Sequence, residues 1–250
     1  MAAYYLRPDE MWQRGGTVTT TAGTTDSDYT DDWVVDDRAN RPAKATSGTV
    51  TWSIASTSGS ISGVVVANHN IDGARTITIG GGASATGAAP AARPNGIPYN
   101  AWIPIVPTAA GATTLTVGVA SNSVSVVIGE VVAGVFRTFP TNGLLVKETY
   151  SRNRRLGPDV GALSVSPYDS GVAQRSWETS AVATATQLDL LMAWFEAQRN
   201  WSRFSVFVPD STINDAALVY LDEPEWEALG TTGGHYKVRL PMVEVPRVRW

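Results

Sequence analysis

The sequence predicts a mainly β protein, in which an antiparallel β-sandwich is followed by an α+β sandwich with one flanking helix. Three observations lead to this fold class. The first half repeats short strand-like runs between turns rich in Gly, Pro and Thr. Only residues 184–199 show a sustained helical period. Strand-like runs resume after that helix, and strands and helices do not alternate as a parallel sheet would require.

The first half of the chain predicts about seven strands, a number and spacing typical of an antiparallel sandwich. The runs that alternate or are continuously apolar are 49–54, 61–67, 75–80, 99–106, 114–119, 123–128 and 131–137. Residues 83–98 are rich in Ala, Gly and Pro and predict a loop.

The second half predicts strands on both sides of one helix. The strand-like runs are 144–151, 160–166, 172–182, 201–208, 217–221 and 235–245, with a basic turn at 152–155. Three units follow: an N-terminal arm or linker (1–25), a β-sandwich (26–140) and a sandwich carrying the helix (141–250). The boundary falls at the Pro- and Gly-containing segment 139–143.

The segment 184–199 is predicted as an amphipathic helix. Its apolar residues recur at i, i+3, i+4 and i+7: Leu188, Leu191, Met192 and Phe195. Thr186 and Asp189 have the spacing of an N-terminal cap. Arg199 suits the C-terminal end, where the helix dipole favours a cation.

Composition excludes several classes of function. The net charge of −4 argues against a dedicated nucleic-acid surface, which needs clustered Lys and Arg. The absence of cysteine excludes disulfides, thiolate catalysis and Cys-based zinc sites. No apolar signal-peptide core and no run of about 18 apolar residues are found, which predicts synthesis in a cytoplasm and no membrane insertion.

No constellation predicts catalysis, so we expect no enzyme, no cofactor and no metal. Only His69 and His235 could serve as an imidazole base, and neither accompanies a nucleophile motif. The acidic run 26–37 is interpreted as a solvated loop, with a structural calcium near Asp36 as the alternative. The carboxylates of 222–227 crowd one segment, which is typical of a solvated sheet edge.

Aromatic residues are abundant, with nine tryptophans and eight tyrosines. Most are predicted to be core residues. An assembly interface is predicted at five of them, because aromatic side chains with polar tips suit protein interfaces: Tyr4, Tyr5, Trp12, Trp194 and Trp250. The first three lie in the N-terminal arm, which would reach an adjacent subunit.

The polar triplet Asn68-His69-Asn70 follows a strand predicted to be buried. One interpretation is a turn whose Asn side chains bond the local backbone. The alternative is a rim that contacts a glycan or a partner, together with the aromatic residues Trp52 and Trp102.

Several segments resemble proteins of tailed-phage tails. Residues 37–43, 51–52 and 63–71 resemble galactose-binding-like jelly rolls in those tails, and 128–134 resembles the strand that closes that unit. The helix core 188–195 with 204–209 is similar to the tail-tube and distal-tail ring fold, a β-sandwich flanked by one helix.

This resemblance implies a virion structural protein of a tail tip or baseplate. It would form a homo-oligomeric ring, a trimer or a hexamer, that joins the tail tube to the hub, fibre or other distal tail proteins. DNA would pass through the ring without being bound specifically. The alternative function is a tail adhesin module whose jelly roll binds host glycan.

Overall fold

The computed structural model describes residues 2–37, 41–89, 100–156, 167–201, 203–211, 215–230 and 234–245, without the side chains of 150–156, 167–174 and 201. These residues form one α-helix, α1 (Ala185–Trp201), and two short 3-10 helices, Pro8–Glu10 and Asp31–Val35. They also form fifteen strands: β1 (Tyr4–Leu6), β2 (Thr17–Ala22), β3 (Ala43–Lys44), β4 (Val50–His69), β5 (Thr76–Gly81), β6 (Ala85–Ala88), β7 (Asn100–Val119), β8 (Val127–Gly134), β9 (Arg137–Thr138), β10 (Leu145–Leu156), β11 (Pro167–Thr184), β12 (Ser205–Asp210), β13 (Asp215–Leu221), β14 (Glu225–Ala228) and β15 (His235–Glu244).

The chain is mainly β, and its strands form a large antiparallel sheet consistent with a β-sandwich. The main path of the sheet runs β10-β11-β15-β13-β7-β4-β8-β3. Pairing of β13 with β7 joins the strands of 141–250 to those of 26–140. The division into separate domains at residue 140 stays a prediction.

Two long strands replace four predicted ones. The predicted runs 49–54 and 61–67 belong to the single strand β4, and 99–106 and 114–119 belong to β7. Register shifts between Ala55 and Gly63 interrupt the β4–β7 ladder without ending it. Polar and glycine-containing sequence between two apolar runs therefore marks irregular pairing here, rather than a turn.

The basic segment 152–155 is also strand and not the predicted turn. It continues β10, which pairs with β11 from Leu145↔Ser180 to Leu156↔Pro167. A bulge between Arg152 and Arg154 absorbs the irregularity. The predicted strand 160–166 lies outside the described residues.

Helix α1 confirms the helix predicted at 184–199. Its N-terminal cap is Thr184 and not the predicted Thr186. Thr184 and Gln187 form the reciprocal pair: the Gln187 N–H donates to Thr184 Oγ1 (3.3 Å), and the Thr184 N–H donates to Gln187 Oε1 (2.9 Å). Trp194 is fully buried on the helix face that packs on β11, β13 and β15. Met192 and Phe195 are only partly buried, so the buried stripe is rotated from the predicted one.

Residues 1–25 do not form a separate arm in the structure. Strand β1 pairs with β12 and with β9. Strand β2 pairs with β4. The segment between them places Met11 and Trp12 in two different apolar clusters. The N-terminal residues are therefore integral to the fold, because they fill space between strands from both halves.

Three apolar clusters share the interior. The first fills the sandwich of β2 to β8, and the second lies beneath α1. The third lies between them and includes Leu6, Val65, Trp102, Val132 and Phe204. We call this third set the seam cluster, because its residues come from both halves of the chain.

Gly63 is required where Trp102 crosses β4. A Cβ atom at position 63 would lie 2.1 Å from Cη2 of Trp102, and the ring is itself packed against Phe136 (4.4 Å between centroids). We expect Gly63→Ala to lower the free energy of unfolding by about 1–3 kcal/mol through overpacking, measured by urea denaturation. In a Trp102→Leu background the same substitution should cost much less. An equal cost in both backgrounds would show that the ring is not the obstacle.

Candidate functional site

The triplet 68–70 is a structural junction in this fold. Asn68 and His69 are buried, and Asn68 has a φ of 49°. The Asn68 N–H donates to Asn100 Oδ1 (2.9 Å), and the Ile71 N–H donates to His69 Nδ1 (3.1 Å). Asn70 bonds across to the start of β8: its Nδ2 donates to the Ser125 carbonyl and its Oδ1 accepts the Val127 N–H, both at 2.8 Å. The triplet is therefore not the predicted turn that bonds local backbone: Asn68 and His69 end β4, and the Asn70 side chain bonds backbone more than 50 residues further along the chain.

Trp52 and Trp102 do not form a sugar platform beside this junction. Trp52 has no exposed surface, and its Nε1 donates to Thr25 Oγ1 (3.2 Å). Trp102 is buried in the seam cluster, stacked on Tyr4 with 5.9 Å between ring centroids. Contact of a glycan with these rings is contradicted by their burial, because neither ring offers a free face.

The aromatic residues predicted for assembly pack within their own chain. Tyr5 stacks on Trp194 (4.4 Å between centroids), and both are buried. Trp12 is also buried, and its Nε1 donates to the Ala112 carbonyl (3.0 Å). Tyr4 is partly buried against Trp102. Burial leaves Tyr5, Trp12 and Trp194 little surface for a partner, and the predicted interface at Tyr4 stays a prediction. Trp250 lies outside the described residues.

The acidic run 26–37 is distributed among several separate partners. Asp31 Oδ2 accepts the Thr20 N–H (2.9 Å), and Asp32 Oδ1 accepts the Val18 N–H (3.4 Å). Asp26 faces Lys44 across 3.5 Å. The run thus supplies hydrogen-bond acceptors to β2. Within the described ranges no group of three or more His, Cys, Asp or Glu side chains is arranged to hold a metal ion.

A buried ion cluster surrounds Arg175, which lies in the middle of β11. Arg175 has no exposed surface, and its guanidinium contacts Glu244 through Nε (3.2 Å) and Nη2 (3.1 Å). Its Nη1 bonds Asp215, and the exposed Glu148 lies 3.5 Å from the same atom. Burial alone would lower the pKa of Arg175, but the carboxylates of Glu244 and Asp215 raise it above its ordinary value.

The same cluster reaches the first half through one carbonyl. Nη2 of Arg175 donates to the Ala216 carbonyl (3.2 Å), and Nδ2 of Asn100 donates to the same oxygen (3.0 Å). Asn100 also accepts the Asn68 N–H. A continuous polar chain therefore runs from β11 through β13 and β7 to the end of β4. Sequence reasoning missed it, because the three residues are far apart in sequence and carry no motif.

The outer edge of β10 is the most extensive unpaired edge in the described part of the sheet. Strand β10 is twelve residues long and pairs there only with β11. Strand β15 pairs with β11 only from Ser176 to Thr184. Among the described residues, 151–156 and their partners on β11 therefore pair only with each other, as a two-stranded ribbon about 20 Å long at ~3.3 Å per residue.

A cleft of about 500 Å³ opens between the C-terminal half of α1 and the end of β13. Its lining residues are Phe195, Gln198, Arg199, Tyr220 and Leu221. Gln198 is fixed in place, because its Nε2 donates to the Val219 carbonyl (2.9 Å) and its Oε1 accepts the Leu221 N–H (2.5 Å). Tyr220 is 45% exposed. The cleft thus combines two accessible aromatic rings with a guanidinium.

No helix in the described ranges has the length and apolar character needed to span a membrane.

Removal of the Arg175 guanidinium should strongly destabilise the protein. Arg175→Met leaves Asp215 and Glu244 buried without their main cation, and breaking a buried pair in this way costs about 3–5 kcal/mol. Lys237→Met on β15 is the control, because Lys237 and its partner Glu227 are exposed and such pairs contribute little. Urea denaturation of both variants measures the difference. Similar midpoints for the two would contradict a central role for Arg175.

Comparisons with known proteins leave the family open. No family model and no curated protein matches the sequence. Among solved structures, a pectin-binding carbohydrate-binding module in a monoclinic crystal form is similar over 48% of this chain and 89% of that chain. The two share 13% sequence identity, and the TM-score is 0.33. A likeness this loose carries no argument about function.

Proposed function

We propose that this chain is a non-catalytic structural protein that assembles with further copies of itself. In the finer form that the sequence resemblance implies, it is a virion protein of a phage tail tip or baseplate. It would form a ring between the tail tube and distal components such as hub and fibre. DNA would pass through the ring without specific binding. The observation that carries the assembly proposal is the free edge of β10 and its ribbon.

Among the described residues the ribbon pairs with no third strand, so its edge is open to a partner. An isolated two-stranded ribbon is at best marginally stable in water, because it has no sheet or helix on which to bury a face. A long strand edge is a template for pairing with another chain. Natural sheets usually shorten, cover or charge such edges, and β10 carries Lys147, Arg152 and Arg154 along its length. Charges of this kind oppose indiscriminate pairing while leaving a specific partner possible.

The edge of β10 could pair with its own copy about a two-fold axis, which would give a dimer. The proposed ring requires instead that it meets a different surface on the next copy, which makes the contact heterologous. Repetition of a heterologous contact closes into a ring when the rotation between copies divides a full turn. This geometry agrees with the proposed ring and does not by itself specify three or six copies.

Shortening the ribbon should abolish assembly without unfolding the subunit. We would replace residues 151–174 by Asn-Gly, a two-residue hairpin loop that joins Tyr150 to its partner Arg175. The wild-type chain should form a closed oligomer in native mass spectrometry and in electron micrographs, and the shortened chain should remain monomeric.

Val106→Ser is the control for that experiment, because Val106 is highly exposed and lies on β7 away from the ribbon. It should leave the oligomer unchanged. A shortened chain with the wild-type mass distribution would overturn the role of the ribbon. A wild-type chain that stays monomeric at millimolar concentration would overturn self-assembly.

A second candidate function is glycan binding, and the cleft at Tyr220 is the observation that favours it. Accessible aromatic rings beside fixed polar groups are typical of pockets that orient a small ligand. The ligand would sit on Phe195 and Tyr220, with Arg199 at the rim. This location replaces residues 68–70, Trp52 and Trp102, which take part in packing and in hydrogen bonds within the chain.

Saccharide binding should depend on Tyr220 if the cleft has this function. Tyr220→Ala should reduce binding on a saccharide array and in calorimetry by at least tenfold, because it removes one wall of the cleft. Trp226→Ala is the matched control, since Trp226 is 51% exposed and does not line the cleft. Equal loss in both variants, or no binding by the wild-type chain, would contradict the glycan-binding candidate.

A further inference from the structure

Glu130 is a fully buried carboxyl group in the middle of β8. It lies opposite Ala67 of β4, and neither residue has exposed surface. Ala67 and Val132 belong to the seam cluster. Because side chains alternate along a strand, Glu130 and Val132 point to the same face of β8. Glu130 is therefore directed toward the contact between the two halves of the chain.

Charged side chains from two other segments lie near this position, and a third segment contacts one of them. Asp36 and Asp37 follow the 3-10 helix Asp31–Val35, and Asp37 has a φ of 60°. Arg14, from the N-terminal segment, lies with Nε 3.4 Å from Asp37 Oδ1. Arg203, just after α1, bonds the other oxygen of Asp37. Asp37 thus connects the N-terminal segment to the segment after α1 directly beside Glu130.

The surroundings of Glu130 favour its neutral form. Burial is the largest effect, and the negative charges of Asp37 and Asp36 add to it, so the pKa of Glu130 is raised well above its ordinary value. The Asp37 backbone N–H and the Arg14 guanidinium oppose this rise in pKa only in part. Neither carboxyl oxygen makes a hydrogen bond of ordinary geometry to the described residues.

We propose that protonation of Glu130 controls the contact between the two halves of the molecule. In its neutral form Glu130 lets Asp37 lie against β8 and hold Arg14 and Arg203 together. When it releases its proton, its buried carboxylate faces Asp37 and Asp36, and the Arg14 guanidinium offsets their repulsion only in part. The repulsion is relieved when the segment 31–37 moves away from β8, which loosens the contact of Arg203 with Asp37.

The direction of the pH effect follows from proton linkage. Between the ordinary pKa of a Glu and its raised pKa in the closed state, the closed state holds one more proton than the open or unfolded state. The stabilisation is therefore fully present below the ordinary pKa. It is lost as pH rises toward the raised pKa, and above that value it changes no further. Within this window the opening equilibrium should increase about tenfold per pH unit.

The test uses the full chain between about pH 4 and pH 9. Wild-type protein should lose thermal stability as pH rises through the window, while Glu130→Gln should keep a flatter profile and a higher Tm at the alkaline end. Amide hydrogen exchange reports local opening. After correction for intrinsic rates, amides of 31–37 and β8 should lose protection with pH in the wild type only.

Glu196→Gln is the matched control, because Glu196 lies on the exposed face of α1 and has only a distant partner, Arg199. It should reproduce the wild-type profile. Asp37→Asn is the second variant, and it should move the pH window to lower values because one repelling charge is removed. The proposal is overturned if wild type and Glu130→Gln share the same pH profile, or if protection at 31–37 does not change with pH.

Discussion

The buried guanidinium of Arg175 is the group on which the junction of the two halves depends. Burial of this charge costs a large free energy of desolvation, which close partners of opposite charge must offset. Here Glu244, Asp215 and the Ala216 carbonyl meet it in one place, and each comes from a strand of the central sheet. The strands β11, β13 and β15 therefore have one register in which the charge is satisfied. A slip of one residue would turn these side chains to the other face and leave the cation unpaired.

The hydrogen bonds that satisfy Arg175 also fix the position of strands in the first half of the chain. The Ala216 carbonyl is shared between Arg175 and Asn100, so the end of β7 is positioned by the cluster that fixes β13. Asn100 in turn accepts the Asn68 N–H, where the backbone of β4 turns with positive φ. The apolar seam cluster then surrounds this polar chain. Hydrophobic burial supplies most of the stabilisation at the seam, while the polar chain selects one arrangement of the strands.

Local sequence patterns predicted elements better than they predicted environments. The period of Leu188 and Leu191 located α1, because helical spacing is a property of neighbouring residues. The sequence predicts the N-terminal cap at Thr186, whereas the structure has it at Thr184. Both threonines are followed three residues later by a side chain that can accept a hydrogen bond, so the capping pattern fits either one. Burial of Trp52 and Trp102 could not be read from their chemistry, because the same rings suit a core and a binding surface. The cluster around Arg175 was invisible for a further reason: its members converge only through long-range strand pairing.

Arg175 and Glu130 show two different solutions to burying an ionisable group at one seam. Arg175 keeps its charge because three acceptors and the ring of Trp177, 4.7 Å from the guanidinium carbon, surround it. At Glu130, burial and the charges of Asp37 and Asp36 outweigh the Arg14 guanidinium, so its neutral form is the one compatible with the closed seam. A paired charge restricts the strands to one register at every pH at which its partners are ionised. A buried carboxyl that faces other carboxylates instead makes closure depend on a proton. The seam therefore combines the Arg175 cluster, which fixes the strand register, with Glu130, which makes the stability of the seam depend on pH.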